Sequence, residues 1–148
     1  MVNVQAEIHL RVPRAEAAAY AGNPDNAPAW YQNIATARWV SEPPLRLGSK
    51  VAFTANFLGR ALDYTYEIVE LVPEEKLVMR TSQGPFPMKT TYTWSDAGNG
   101  TFMTLRNNGE PRGFSVPAGA LMAPMMRRAM RRDLAKLKSI LESGRPRD

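Results

Sequence analysis

The apolar or small residues Val116, Gly119, Ala123, Met126, Met130, Leu134, Leu137 and Leu141 follow one another at steps of three or four. That spacing puts side chains on one face of a helix. Ser115 is a suitable N-cap, Pro117 falls in the first turn where no amide needs an intrahelical partner, and Gly144 follows the last apolar residue, so the pattern predicts one helix over 115–142. At 1.5 Å per residue it is roughly 40 Å long. A helix so long and so one-sided is not stable alone, and a large apolar surface must receive it. The stripe also changes along its length. Gly119, Ala123, Met126 and Met130 are small or flexible and leave space, whereas Leu134, Leu137 and Leu141 fill a core with defined rotamers. Pro124 removes an amide donor and predicts a kink.

The receiving surface is read upstream. Val4, Ala6, Ile8, Leu10 and Val12 alternate with polar neighbours until Pro13, the signature of a strand with one wet face. An Ala-rich helix from Arg14 to Tyr20 closes at Gly22, and Asn23-Pro24 opens a second short helix carrying Trp30 and Tyr31. From Thr36 the chain is strand after strand. Val51, Phe53, Ala55 and Phe57 alternate with polar or small neighbours, as do Leu62, Tyr64, Tyr66 and Ile68; Leu77 and Met79; Phe86, Met88, Thr90, Tyr92 and Trp94; and Thr101, Met103, Leu105 and Asn107. Val78 breaks the alternation of its strand. The connections are short and turn-like, as antiparallel neighbours require. An antiparallel sheet with one apolar face needs a cover, and the C-terminal helix is the only element large enough. The class is α+β: a seven-stranded curved antiparallel sheet around a long C-terminal helix, with two short helices between strands 1 and 2. Residues 1–144 form a single domain and 145–148 a short charged tail.

Composition narrows function by exclusion. There is no cysteine, hence no disulfide, thiol nucleophile or thiolate metal site. No cluster of His, Asp and Glu has metal-ligand spacing, and the reading calls for no metal and no cofactor. The single histidine, His9, falls on the polar side of the first strand. The N-terminus alternates from Val2 onward and does not resemble a signal peptide, and no apolar run reaches membrane-spanning length; the expectation is a soluble cytoplasmic protein. The net charge of +5 is uneven: from Arg127 onward eight bases face three acids, whereas the first 126 residues hold eleven of each. Arg127, Arg128, Arg131, Arg132, Lys136 and Lys138 predict a basic outer helix face. A solvated face is the commoner meaning, and weak contact with an anionic surface is the alternative. No aromatic residue interleaves with these bases, so no nucleic-acid partner is expected. The expected assembly is a monomer or homodimer.

The order of elements, with Trp30-Tyr31-Gln32-Asn33-Ile34, Pro44-Leu45-Arg46-Leu47-Gly48, Tyr66-Glu67-Ile68-Val69-Glu70-Leu71-Val72-Pro73 and Asp133-Leu134-Ala135-Lys136-Leu137-Lys138, resembles the helix-grip superfamily. That superfamily includes the START domains, the birch-pollen-allergen-like proteins and the bacterial polyketide cyclase/dehydrase and lipid-transport (SRPBCC) group. The resemblance spans essentially the whole chain. It implies a hydrophobic small molecule, such as a lipid, polyketide or aromatic metabolite, bound between sheet and helix; some members cyclise or dehydrate polyketides.

The inward parity supplies the candidate ligand-binding residues: Phe53, Phe57, Tyr64, Tyr66, Phe86, Met88, Tyr92 and Met103 on the sheet, with Trp30 near the rim. Gly119, Ala123, Met126 and Met130 face them from the first half of the long helix. Candidate catalytic groups are Tyr64, Tyr92 and Asn107 inside, and Glu110 and Arg112, which flank Pro111, as a gate at the mouth. Two functions stand: a carrier or sensor that performs no chemistry, and a cyclase or dehydratase-like enzyme whose tyrosines hold an enolate. The interior is poor in groups that titrate near neutrality, which favours the first.

Overall fold

A computed structural model describes residues 2–57, 59–83, 87–109 and 122–143, with the backbone alone for residues 2, 57 and 122. The chain runs β1 (Val2–Leu10), α1 (Arg14–Ala21), a 3-10 turn (Pro24–Asn26), α2 (Ala27–Trp30), β2 (Ile34–Trp39), β3 (Lys50–Phe57), β4 (Arg60–Val72), β5 (Lys76–Gln83), β6 (Met88–Ala97), β7 (Gly100–Gly109) and α3 (Met122–Glu142). All seven strands form one antiparallel sheet in the order β1-β7-β6-β5-β4-β3-β2. This is the helix-grip α+β arrangement expected from the sequence. Residues 115–121 of the expected helix, with Gly119, lie outside the described residues; Pro124 sits in the first described turn of α3.

Alternation accounts for the inner face. Val51, Phe53 and Ala55 of β3 are buried beside Leu62, Tyr66 and Ile68 of β4, with Phe53 opposite Tyr64 and Val51 opposite Tyr66. The broken alternation at Val78 has a local cause. The β4–β5 pairing shifts between Ile68 and Glu70, so β4 carries an extra residue there and the parity of the pair changes. Leu77, Val78 and Met79 are consequently all buried, although only Leu77 and Met79 belong to the main core. The first strand ends at Leu10, two residues before the expected end. Val12 is still buried, and its carbonyl accepts a 2.8 Å hydrogen bond from the Thr101 hydroxyl.

α3 packs chiefly on β1. Its stripe of Met130, Leu134, Leu137 and Leu141 joins Val4, Ala6, Leu10, Met103 and Leu105 in the core. Polar ties fix the C-terminal end. Lys138 Nζ donates to the His9 carbonyl at 2.9 Å and lies 2.6 Å from Glu142 Oε2, while the Arg11 amide donates to the same carboxylate at 2.9 Å. Lys138 therefore leaves the expected outer basic face: its charge is used against β1. A residue as enclosed as Leu134, 1% exposed, costs about 2–5 kcal/mol when truncated. Leu134→Ala is expected to lose that much stability in urea unfolding. A loss below about half a kcal/mol would place the stripe on the wrong face.

Candidate functional site

Between α3 and the concave face of β3–β6 lies a cavity of about 710 Å³. Such a volume suits a small organic ligand. Its floor is Val51, Phe53 and Ala55 of β3, Leu62, Tyr64, Tyr66 and Ile68 of β4, Leu77, Met79 and Thr81 of β5, and Met88, Thr90 and Tyr92 of β6, with Asn107 of β7. Ala21 to Pro24, Ala27 and Tyr31 close the end under the short helices, and Asn33, Ile34 and Leu45 a further side. The wall opposite is α3, through Met125, Met126, Arg128, Ala129, Met130, Arg132 and Asp133. Gly22 keeps the chain close at this end, since a Cβ there would stand 2.8 Å from the Ala18 carbonyl oxygen.

The wall is largely apolar, and two hydrogen-bonded groups of side chains stand in it. In the first, Asn107 Oδ1 can only accept, so the Thr90 hydroxyl donates to it at 2.6 Å, and Tyr66 donates to Thr90 at 2.7 Å. Burial pushes the Tyr66 phenol up to about 12. The rings of Phe53, Tyr64 and Tyr66 pack within 5.2–5.9 Å of each other. In the second group the hydroxyls of Tyr31 and Tyr92 are 2.6 Å apart. Burial raises both phenols far above their ordinary value, so both stay protonated at any physiological pH. Beside them Asp133, 5% exposed, accepts from the Gln32 amide at 3.0 Å through Oδ1. Burial lifts its carboxyl to about 6, against the pull of that amide and of Arg132, and its charge in turn helps to hold Tyr92 high.

Of the residues expected from sequence, the structure places Phe53, Tyr64, Tyr66, Met88, Tyr92, Asn107, Met126 and Met130 on the cavity. Three are not among its lining residues. Trp30 is 1% exposed, stacked 4.0 Å from the Tyr31 ring inside the core and not at the rim. Met103 is fully buried on β7 opposite Ile8 of β1, the strand on which α3 packs. Ala123 packs against the core cluster, because it lies on the same side of α3 as Leu137 and Leu141. Phe86, Glu110, Arg112, Gly119 and the Phe57 side chain lie outside the described residues.

The cavity lining also includes residues that the sequence did not single out as binding residues, among them Tyr31, Asp133, Met125 and Ala129. Their positions follow from helix geometry. At about 100° per residue, the centre of the core stripe falls near Met130 and Leu141, Asp133 lies about 60° to one side, and Ala129 about 100° to that same side. The cavity borders that flank, while Lys138 turns to the other. Arg128 and Arg132 are exposed residues on the cavity border and not part of a plain solvent face.

The family model for polyketide cyclase/dehydrase and lipid transport matches residues 1–142. No curated protein matches the chain in sequence. Among solved structures, TTHA0849 from Thermus thermophilus is 16% identical with a TM-score of 0.76, over 97% of this chain and 99% of that one. A START superfamily protein from Mycobacterium smegmatis is 13% identical with a TM-score of 0.72, over 95% and 94%. The Aha1 dimer from Colwellia psychrerythraea is 18% identical with a TM-score of 0.69, over 99% and 100%. At these identities the likeness shows the fold alone. Among the described residues no helix is long and apolar enough to cross a membrane, and no group of three His, Cys, Asp or Glu could hold a metal.

A carboxyl lifted from 3.8 to about 6 on folding binds its proton more tightly in the folded chain than in the unfolded one. Stability is therefore lost as pH rises from about 4 to about 6, and the penalty is fully present above that window. Asp133→Asn keeps the acceptor for Gln32 and removes the charge. Its melting temperature is expected to exceed wild type at pH 7.5 by the equivalent of about 2 kcal/mol, with the gap closing towards pH 4. Thermal melts of the two proteins across that range check it.

Proposed function

Because the chain belongs to the polyketide cyclase/dehydrase and lipid-transport family, we propose that it binds a hydrophobic small molecule between sheet and α3, as a carrier or sensor. The observation that carries this reading is the cavity of about 710 Å³, walled by Phe53, Leu62, Ile68, Met79 and Met126. An apolar ligand there gains about 25 cal/mol per Å² buried, less the entropy of association. The hydroxyl hydrogens of Tyr66 and Thr90 are spent within their own chain, whereas the Tyr31–Tyr92 pair keeps one hydrogen for a ligand oxygen, so the wall favours a ligand with a polar position on an otherwise apolar body. The ligand class is a lipid, a polyketide or an aromatic metabolite.

The second reading, a cyclase or dehydratase-like enzyme, is favoured by the Tyr31–Tyr92 pair. Two phenols held protonated in a dry wall are preorganised donors for a developing oxyanion.

Filling the cavity separates a bound ligand from a loosely packed core. Ala129 borders the space and is half-buried. Ala129→Phe is expected to weaken the fluorescent probe N-phenyl-1-naphthylamine at least about tenfold while costing less than about 1.5 kcal/mol of stability, because an empty space accepts bulk. Unchanged probe affinity, or a wild-type protein that takes none of the probe, would count against a ligand site beneath α3.

A further inference from the structure

We propose that Arg128 and Arg132 form an oxyanion subsite at the mouth of the cavity, and that the ligand is therefore an amphiphile: an apolar body beneath α3 and one anionic group, of carboxylate or phosphate chemistry, at the rim. The inference rests on the reading that the cavity takes a ligand, and it names the class of that ligand.

The lining decides where a ligand's charge can go. Of the described lining residues only Arg128, Arg132 and Asp133 are charged. The sheet side offers rings, thioethers, hydroxyls and amides, none of which offsets a full negative charge taken out of water. An anion is thus excluded from the interior and favoured only at the rim. Helix geometry puts both guanidinium groups there. At about 100° per residue, Met125 lies about 40° outward from Ala129, Arg132 about 60° and Arg128 about 100°. Met125 is 41% exposed, and both arginines are exposed. The flank therefore runs from Met126 through Ala129 and Met125 to Arg132 and Arg128, from apolar to cationic, which is the gradient an amphiphile matches.

The two charges are also unspent. Arg128 and Arg132 stand one turn apart, a like-charge spacing that costs a helix some stability. Neither makes an ion pair with a described residue. Asp133 accepts from the Gln32 amide and feels Arg132 only through its field. Two cations against one carboxylate leave this border net positive. Guanidinium groups present planar forks of donors that fit the oxygens of a carboxylate or phosphate. The helix carries its own control, because Arg127 and Arg131 repeat the same one-turn spacing and do not line the cavity.

The test uses two fluorescent probes of one skeleton, N-phenyl-1-naphthylamine and its 8-sulfonate, which differ by a single anion. The readout is the ratio of the sulfonate's affinity to that of the neutral parent. The double substitution Arg128→Gln, Arg132→Gln is expected to lower this ratio about tenfold, and each single substitution about threefold, as exposed charge-assisted contacts do. Added salt should weaken the sulfonate and spare the parent. The double substitution Arg127→Gln, Arg131→Gln removes the same charge from the same helix and should leave the ratio within about twofold of wild type. Ala129→Phe should lose both probes, and inorganic phosphate should displace the sulfonate no better than chloride at equal ionic strength. Four outcomes overturn the subsite: a ratio unchanged by the Arg128 and Arg132 substitutions, an equal fall with Arg127 and Arg131, a sulfonate retained by Ala129→Phe, or its specific displacement by phosphate. As long as wild type takes the neutral parent, the ligand site survives the first two. A wild-type protein that takes neither probe overturns both.

Discussion

One helix cannot cover seven strands, and the rest of the structure follows from that mismatch. Strands stand about 4.8 Å apart, so seven span about 29 Å, whereas a helix with its side chains is about 10–12 Å across. α3 settles over β1, and its Leu134, Leu137 and Leu141 share one core with Leu10, Met103 and Leu105. The inner faces of β3, β4 and β5 are then apolar and beyond its reach. Curvature of the sheet and the short α1 and α2 helices bring Ala21, Ala27 and Tyr31 towards that uncovered face. What they do not fill remains as space. The cavity is a consequence of how few elements share one large apolar surface.

The fold was legible because each of its parts repeats a period. Period-two alternation along β3, β4, β6 and β7 and the stripe on α3 each extend over enough residues to be unambiguous, and together they leave one arrangement that buries both. The site was only half legible. Residues such as Phe53, Tyr64, Tyr66 and Tyr92 inherit their direction from strand parity and could be read. Parity alone does not tell cavity from core: Met103 points inward as Tyr92 does, and what separates them is that Met103 pairs with β1, the strand on which α3 packs. Trp30 and Tyr31 end a helix of four residues, too short for any period to show which of the two turns to the core. Asp133 was hidden by its company, an acid between Arg132 and Leu134 on a helix whose charges otherwise face water.

Part of the interior polarity is satisfied by hydrogen bonds, although the indole N–H groups of the buried Trp30 and Trp94 have no partner among the described residues. Tyr66, Thr90 and Asn107 form a directed chain across β4, β6 and β7, and cross-strand pairing sets it up, because Thr90 stands opposite Asn107. Thr90 is 3% exposed, and it uses its hydrogen on Asn107 and a lone pair on Tyr66. A satisfied chain of this kind rigidifies the wall. The Asp133 end is different in kind. There a charge is enclosed with one amide and a nearby guanidinium for support, and the fold tolerates the penalty.

That contrast bears on how a scaffold can hold a binder and a catalyst without changing its core. The stripe of α3 and the strands beneath it hold the chain together, and of the stripe's described residues Met126 and Met130 also border the cavity. The cavity flank of the same helix, Met125, Met126, Ala129 and Asp133, supplies none of the cluster's buried residues. A polar group placed at about 60° from the stripe centre lies at the boundary between packed interior and open space. Nearer the stripe it would need partners that a packed core does not supply; further out it would face water and behave as an ordinary surface acid. Asp133 occupies an angular position on α3 where a carboxylate is both enclosed enough to be shifted and placed on the cavity border.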